Sequence, residues 1–412
     1  MLRKHNNFRI VVNAISRLSG RKVYSVINSS KHWSSSGNEC QSSISAGPVG
    51  SSPSSDSCLL QDYVLSSQWQ FIEHLAPELD TSVIAATLCG LKEFPNLALK
   101  FATCVGLSLM DFESKCLAAT VISGKETPRS AVQILTHLLT DYNFSVENVF
   151  LGLANSVDKL GFVDHNAYDC LIRACCELKL VNDAYKCFDL MKEKKTVPKT
   201  RTCNELLSLL VKSNLLDMAW ALYAEMFRLK IQSSVVTFNI MINVLCKQGK
   251  LKKAKEFIDS MEILGVKPDA ITYNTLIHAF CCKNRVKSGL ILFDLMKRKG
   301  IPPNSYTYGT LIGGMCKDGE LEEASAMFEK MKENGLHPNA VIYNMLMDGY
   351  CNKGDTEVAF GYKNEMTESG IRPNLSTYNM MIHAFLMEGA ATPKWHSRTT
   401  TRCLLKVSSQ QG

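Results

Sequence analysis

The chain has 412 residues, of which 46% are hydrophobic and 21% are charged, as is normal for a packed soluble protein with room for two or three domains. Its net charge of +7 is placed unevenly, because residues 1–38 hold seven basic side chains and residues 390–412 hold four, both stretches without an acid. Removing these ends leaves a body with a charge of −4. The overall charge therefore gives no support for a nucleic-acid partner.

The amino-terminal segment is basic and rich in serine, and its apolar residues recur at helical spacing with Arg9, Arg17 and Arg21 between them. This pattern is typical of a transit peptide, which we predict for residues 1–40, followed by a Ser/Gly-rich linker at 41–57. Three arginines on an amphipathic helix favour the mitochondrion; the chloroplast is the alternative, and a merely disordered basic leader stays open. No apolar run approaches 18 residues, so no membrane span is expected.

An internal pattern of six residues recurs every 35 residues. Its copies are AYDCLI (167–172), TCNELL (202–207), TFNIMI (237–242), TYNTLI (272–277), TYGTLI (307–312), IYNMLM (342–347) and TYNMMI (377–382). We number the repeats 1 to 7, starting at His165, Thr200, Val235, Ala270, Ser305, Ala340 and Leu375. The seventh repeat loses the pattern after about residue 389, before its second helix, and a basic irregular tail follows at 390–412.

Each repeat predicts two helices. Apolar residues at the fourth, seventh, eighth, eleventh and twelfth places form the buried stripe of a first helix, and Gly at the fifteenth place supplies a turn. The second helix has a small residue at the twentieth place and Met at the twenty-seventh, and Gly then Pro end it. One hairpin cannot bury its apolar face, so the hairpins must stack. The expected fold is all-α, a right-handed α-solenoid superhelix with a concave groove.

Cysteine is frequent, with 16 residues, but no CxxC occurs. Five cysteines occupy the twelfth place on the buried side of the first helices: Cys176, Cys246, Cys281, Cys316 and Cys351. Free Cys packs as a small hydrophobe, so we interpret these residues as core and expect no metal and no cofactor. Each should tolerate replacement by Ala or Val.

With Asn after the aromatic residue and Met late in the second helix, the chain resembles pentatricopeptide repeat proteins of the class built from uniform 35-residue repeats, common in plant organelles. The resemblance covers about 165–389. It implies divergent amino-terminal helices at 58–111 and a degenerate repeat plus an extra helix at 112–164. It also implies sequence-selective binding of single-stranded organellar RNA, one nucleotide per repeat, with effects on transcript processing, stability or translation.

The resemblance further implies that the fifth and the last residue of a repeat read one base. The pairs are Asn204 with Ser234, Asn239 with Asp269, Asn274 with Asn304, Gly309 with Asn339, and Asn344 with Asn374. It implies uracil for Asn239 with Asp269 and pyrimidines, cytosine favoured, for the Asn/Asn pairs. Asp169 with Lys199 and Gly309 with Asn339 depart from the usual combinations and receive no base. The alternative role for these Asn residues is helix N-capping.

In the same family, apolar residues at the second place sandwich the bases, which here gives Val236, Ile271, Tyr306 and Val341, whereas Arg201 and Ser376 break the column. Lysines at the thirteenth place, Lys212, Lys247 and Lys317, would lie near phosphates or else form solvated surface.

Catalysis finds no support in the sequence, because no P-loop, GxSxG or HExxH motif occurs and no zinc-binding or acidic cluster follows the repeats. We therefore expect a binding protein rather than an enzyme. The rival hypothesis is a protein-interaction scaffold, since similar solenoids bind peptides. A truncated natural sequence, with a catalytic domain beyond its end, is a third possibility.

Overall fold

The computed structural model describes residues 55–124, 128–140, 144–162 and 165–389. The predicted transit peptide, most of the predicted linker and the basic tail lie outside these residues. The chain divides into two compact segments, and the boundary between Ile240 and Met241 falls inside one helix. We call them the N-terminal segment and the C-terminal segment and describe each by itself.

The described residues form twenty α-helices and one 3-10 turn at Ala76–Glu78, and they contain no strand. The helices before the repeats are α1 (Ser55–Leu65), α2 (Trp69–Leu75), α3 (Thr81–Gly90), α4 (Pro95–Val105), α5 (Phe112–Ile122), α6 (Pro128–Thr140) and α7 (Val146–Leu160). The first helices of the seven repeats are α8 (Asn166–Glu177), α10 (Thr200–Lys212), α12 (Val235–Lys247), α14 (Ala270–Cys281), α16 (Ser305–Asp318), α18 (Ala340–Lys353) and α20 (Leu375–Gly389). The second helices are α9 (Val181–Glu193), α11 (Leu216–Arg228), α13 (Leu251–Ile263), α15 (Val286–Arg298), α17 (Leu321–Glu333) and α19 (Thr356–Glu368).

Helix α1 begins at Ser55, inside the segment predicted as a linker up to residue 57. The prediction was wrong for these three residues, because serine and aspartate are as common in the first turn of a helix as in a linker. From repeat 2 onward, each first helix begins at the residue where the 35-residue register starts a repeat.

In the N-terminal segment, helices that are two apart in the chain pack side by side. Helix α3 contacts α1 and α5, and α8 contacts α6 and α10. The second helices α9 and α11 pack against the first helices of their own repeats. The C-terminal segment repeats the arrangement, with α14, α16, α18 and α20 in series and α15, α17 and α19 behind them. This is the stacking expected of an α-solenoid.

The core is as periodic as the sequence. The fourth-place tyrosines Tyr273, Tyr308 and Tyr343 are buried, and so is the late Met column of the second helices. Within the C-terminal segment, the ring of Tyr308 meets the edge of Phe293, with centroids 5.3 Å apart. Tyr343 packs on Phe328 in the same way, so each of these two tyrosines joins the core of its repeat to that of the preceding repeat.

The two turns of each repeat keep a fixed backbone conformation, even where glycine is absent. At the fifteenth place the left-handed φ recurs at Gly249 and Gly319, and also at Asn214 with φ 59°. At the thirty-first place it recurs at Gly265 and at Lys230 with φ 58°. Such angles cost a side-chain-bearing residue energy, so the stacking must impose them at the non-glycine positions.

Cysteines at the twelfth place are buried or half-buried. Cys281 is buried, and burial raises the pKa of its thiol to about 12. A Cβ placed on Gly314 would lie 3.0 Å from Sγ of Cys281, so little free space surrounds this sulfur. Burial likewise raises the pKa of Cys246 and Cys316 to about 12, which leaves the thiols protonated at neutral pH.

We expect Cys281→Ala to lower the free energy of unfolding by about 1 kcal/mol, because it removes one packed sulfur atom. The adjacent Cys282 is exposed and is the matched control, so Cys282→Ala should leave the urea midpoint unchanged. Native protein at pH 8 should also alkylate at Cys282 much faster than at Cys281. Equal labelling of the two thiols, or loss of folding on metal chelation, would contradict the packing interpretation.

Candidate nucleic-acid interface

The last residue of a repeat caps the first helix of the next repeat. Asp269 precedes α14, and its Oδ1 accepts the backbone N–H of Thr272 at 2.8 Å. Ser234, Asn304 and Asn374 accept the N–H three residues later in the same way. N-capping, the alternative role for these polar residues, is therefore present at the last place of the repeat.

The fifth residue lies inside the first helix, away from the cap. Asn204, Asn239 and Asn274 are buried, and Asn344 is half-buried. Each asparagine whose partner lies in the same segment donates through Nδ2 to the last residue of its own repeat: Asn204 to Ser234 Oγ at 3.1 Å, Asn274 to Asn304 Oδ1 at 3.4 Å, and Asn344 to Asn374 Oδ1 at 3.4 Å. Three of the predicted base-reading pairs are thus in contact.

The other two predicted pairs differ from these. Asn239 belongs to the N-terminal segment and Asp269 to the C-terminal segment, so their pairing stays a prediction from the repeat register. In repeat 5, Gly309 offers no side chain, and Asn339 Oδ1 accepts the backbone N–H groups of Val341 and Ile342 at 3.1 and 3.2 Å.

The apolar residues at the second place are unusually exposed. Val236, Ile271, Tyr306 and Val341 have 55%, 62%, 57% and 56% of their surface accessible. All four lie in the first turn of a first helix, one residue before the buried third place. Exposed apolar residues that recur at a fixed interval along the chain indicate a binding surface.

Two cavities collect the predicted site residues. In the N-terminal segment, a cavity of about 1030 Å³ is lined by Asn204, Ser234, Val236 and Lys212, among others. In the C-terminal segment, a cavity of about 610 Å³ is lined by residues that include Tyr306, Gly309, Lys317, Asn339 and Val341. Each cavity therefore holds the fifth-place and last-place residues of one repeat, an apolar second-place residue and a thirteenth-place lysine.

The three predicted phosphate-binding lysines are all exposed on first helices. Lys212 and Lys317 line the two cavities and have no salt-bridge partner among the described residues. Lys247 lies at the end of α12. The ammonium groups of Lys212 and Lys317 are thus placed beside the residues predicted to contact bases.

An ion-pair network in the larger cavity was missed by sequence reasoning. Glu205 accepts from Arg173 Nε at 2.9 Å and from Arg201 Nε at 3.2 Å. Arg201 occupies the second place of repeat 2, where repeats 3 to 6 have an apolar residue. Because this cavity replaces an apolar contact with paired charges, repeat 2 differs chemically from repeats 3 to 6. The departure of Arg201 from its column is the signal that marks it.

A metal centre finds no ligands in the part of the chain that the structure describes, since no group of three or more His, Cys, Asp or Glu residues could hold an ion there. The same residues include no helix long and apolar enough to cross a bilayer.

Stacked helical hairpins of constant length, with polar pairs and exposed apolar residues repeated on their first helices, define a helical-repeat protein of the α-solenoid class. The chain belongs to the pentatricopeptide repeat family. The model described as PPR repeat family matches residues 198–247, 233–282, 268–317 and 338–387, and the model described as PPR repeat matches 167–196 and 306–336.

Two similar proteins belong to the same family, and one solved structure has the same fold. The mitochondrial pentatricopeptide repeat-containing protein At2g15630 of Arabidopsis thaliana is 40% identical over 179 residues, which are 43% of this chain and 28% of that protein. A second mitochondrial member, At1g11710 of the same plant, is 27% identical over 178 residues, 41% of this chain and 27% of that protein. The aligned part thus spans under a third of either relative. The crystal structure of the pentatricopeptide repeat protein PPR10 from maize aligns with a TM-score of 0.50 and 24% identity over 80% of this chain and 51% of that chain, which confirms the all-α solenoid fold.

Proposed function

We propose that this protein binds single-stranded RNA with sequence selectivity and does not itself catalyse a reaction. The observation that carries the proposal is the pair of cavities in which the fifth-place and last-place residues of a repeat, an exposed apolar residue and a thirteenth-place lysine lie together. Pentatricopeptide repeats read one base per repeat through two or three side chains, and family membership makes this chemistry the first candidate.

The chemistry of the predicted interface favours RNA, with its bases, over an anion that offers only negative charge. Exposed Ile271 and Tyr306 offer apolar surface to unpaired bases, and such packing against a base does not depend on its identity. The fifth-place and last-place side chains offer the directional donors and acceptors that distinguish base edges. By the family resemblance, the pair Asn239 with Asp269 reads uracil and the Asn/Asn pairs read pyrimidines, so we expect a pyrimidine-rich site.

We further propose that the protein acts in mitochondria, on transcript processing, stability or translation. Two observations support the location: the predicted cationic transit peptide at residues 1–40 and the two relatives named as mitochondrial proteins.

A peptide-binding scaffold is the rival function, and the −4 charge of the body between the basic ends favours it. The lysines discriminate between the two, because counterion release from phosphates makes RNA binding depend steeply on salt.

We expect Lys317→Ala to weaken binding of all RNA sequences alike and to reduce the slope of log K against log salt by about 0.7, because one phosphate contact is lost. Lys287→Ala removes the same charge from an exposed position on the second helix α15 and is the matched control. Titrations of full-length protein with fluorescent RNA at several salt concentrations give both slopes. Identical slopes for the two variants would show that Lys317 does not contact RNA phosphates.

A further inference from the structure

A threonine in one repeat bonds to the base-reading asparagine of the repeat before it. The Oγ1 of Thr307, at the third place of repeat 5, donates to Asn274 Oδ1 of repeat 4 at 2.7 Å. The same bond recurs between Thr237 and Asn204 at 2.7 Å, and between Thr377 and Asn344 at 2.8 Å. The same hydrogen bond in three places indicates that it is a regular feature of the repeat.

The direction of this bond follows from the proton count of the hydroxyl. Thr307 Oγ1 accepts the backbone N–H of Asn304 at 3.1 Å, so its own single proton must point elsewhere. Asn304 Oδ1, at 3.0 Å, already accepts the backbone N–H of Thr307. Asn274 Oδ1 is nearer, at 2.7 Å, and therefore takes the proton.

The hydroxyl consequently fixes the orientation of the amide. With Oδ1 of Asn274 held by the threonine, the amide is oriented with Nδ2 on its other side. One N–H of Nδ2 points to Asn304 Oδ1 at a long 3.4 Å. The other N–H is available to a hydrogen-bond acceptor on a base, such as a ring nitrogen or carbonyl oxygen of a pyrimidine.

We propose that the third-place threonine is a positioning residue for base reading by the preceding repeat, because its hydroxyl holds the asparagine amide with Nδ2 towards the base. The proposal rests on the proposed RNA binding and deepens it. It places part of the specificity of repeats 2, 4 and 6 in residues of repeats 3, 5 and 7.

The natural exception in repeat 5 supports this assignment. Its fifth place is Gly309, and the third place of repeat 6 is Ile342 in place of threonine. A Cβ on residue 309 would lie 3.2 and 3.3 Å from Cγ1 and Cδ1 of Ile342. The two side chains therefore compete for one space, which explains why amide and hydroxyl are lost together.

A simpler role for threonine is to cap its own helix, since Thr307 also completes the capping box of α16 with Asn304. The two roles predict different outcomes. A cap contributes to stability and thus to the binding of every sequence, whereas a positioning residue changes the preference for one nucleotide in the preceding repeat.

The test is selection of RNA ligands from a random single-stranded pool by full-length wild type, Thr307→Val, Thr307→Ser and Asn274→Ala. We expect Thr307→Val to weaken the base preference at one RNA position by roughly tenfold, and Asn274→Ala to weaken the preference at the same position. Thr307→Ser, which keeps the hydroxyl, should retain the wild-type preference. Thr377→Val and Asn344→Ala should both weaken the base preference at the RNA position of repeat 6, two nucleotides from that of repeat 4.

The exception provides a gain-of-preference test. Gly309→Asn alone should add no base preference, because Ile342 cannot orient the new amide. Gly309→Asn together with Ile342→Thr should add a base preference at the RNA position of repeat 5. If Thr307→Val lowers thermal stability and overall affinity but leaves every column unchanged, threonine is only a cap and the proposal is overturned. If wild type enriches no sequence at all, the proposed RNA binding fails, and the positioning role fails with it.

Discussion

Replacing Tyr306 by alanine should weaken binding of every RNA sequence by about 1–3 kcal/mol, which is about 5- to 150-fold. The ring is 57% exposed and lines the cavity of the C-terminal segment beside Asn339 and Lys317. Stacking on an exposed ring does not depend on the identity of the base, so the loss should be uniform. Anisotropy titrations with RNAs that differ at one nucleotide measure it.

The control for this prediction is a pair of isoleucines. Ile271 is 62% exposed on the first helix α14, and Ile291 is 58% exposed on the second helix α15. Ile271→Asp and Ile291→Asp add the same charge at the same exposure, so any difference in affinity reports the location of the RNA. Equal losses in the two variants would show that the second-place residues do not contact bases.

Replacing Asp269 by asparagine should move the preference of repeat 3 from uracil towards cytosine while affinity for the best ligand stays nearly constant. A carboxylate only accepts hydrogen bonds, as the imino group of uracil requires, whereas an amide can also donate to the ring nitrogen of cytosine. A hydrogen bond to a charged group contributes about 1.5–3 kcal/mol, so the uracil-to-cytosine ratio should fall by roughly 10- to 150-fold. Selection from a random RNA pool measures the change.

The structure makes this substitution a clean one. Asp269 and Asn304 form the same capping box at the starts of α14 and α16, so asparagine can keep the cap of α14. Asp269→Ala, in contrast, should cost about 1 kcal/mol of stability, because it removes the cap as well. If Asp269→Asn and wild type enrich the same sequences, the assignment of Asp269 to base reading is wrong.

Much of the fold followed from the sequence because the repeat period carries it. An exposed Ile271 beside a buried Thr272 and Tyr273 is what one face of a helix requires, and the 35-residue spacing places the same face in each repeat. The stretch before the repeats lacks the clear 35-residue period, so only divergent helices at 58–111 and a degenerate repeat with an extra helix at 112–164 could be expected there, and the helical start at Ser55 was missed.

The site was predictable in its columns but not in its bonds. Register alone aligned Asn274 with Asn304, and the family resemblance gave them a role. Whether an asparagine caps a helix or presents its amide depends on its place in the repeat: the last place precedes the next first helix, and the fifth place lies five residues further along, inside that helix. The bond from Thr307 back to Asn274 spans 33 residues and has no local sequence signal. Only the joint change of Gly309 and Ile342 could have suggested it.

The ion pairs of Glu205 with Arg173 and Arg201 show a second limit. Arg201 was recognised as a break in its column, but its partner lies one helical turn away and Arg173 comes from the preceding repeat. Long side chains choose partners in three dimensions, which a column of aligned residues does not represent.

Selection of ligands for the full-length wild-type protein from a random single-stranded RNA pool, with competing peptide and RNA libraries in the same reaction, tests RNA reading most directly. We expect enrichment of RNA with one position specified per repeat, uracil in the column assigned to Asp269, and a pyrimidine in the adjacent column assigned to Asn274 and Asn304. Enrichment of peptides, or recovery of RNA without a shared sequence, would contradict the account and favour a protein-interaction scaffold.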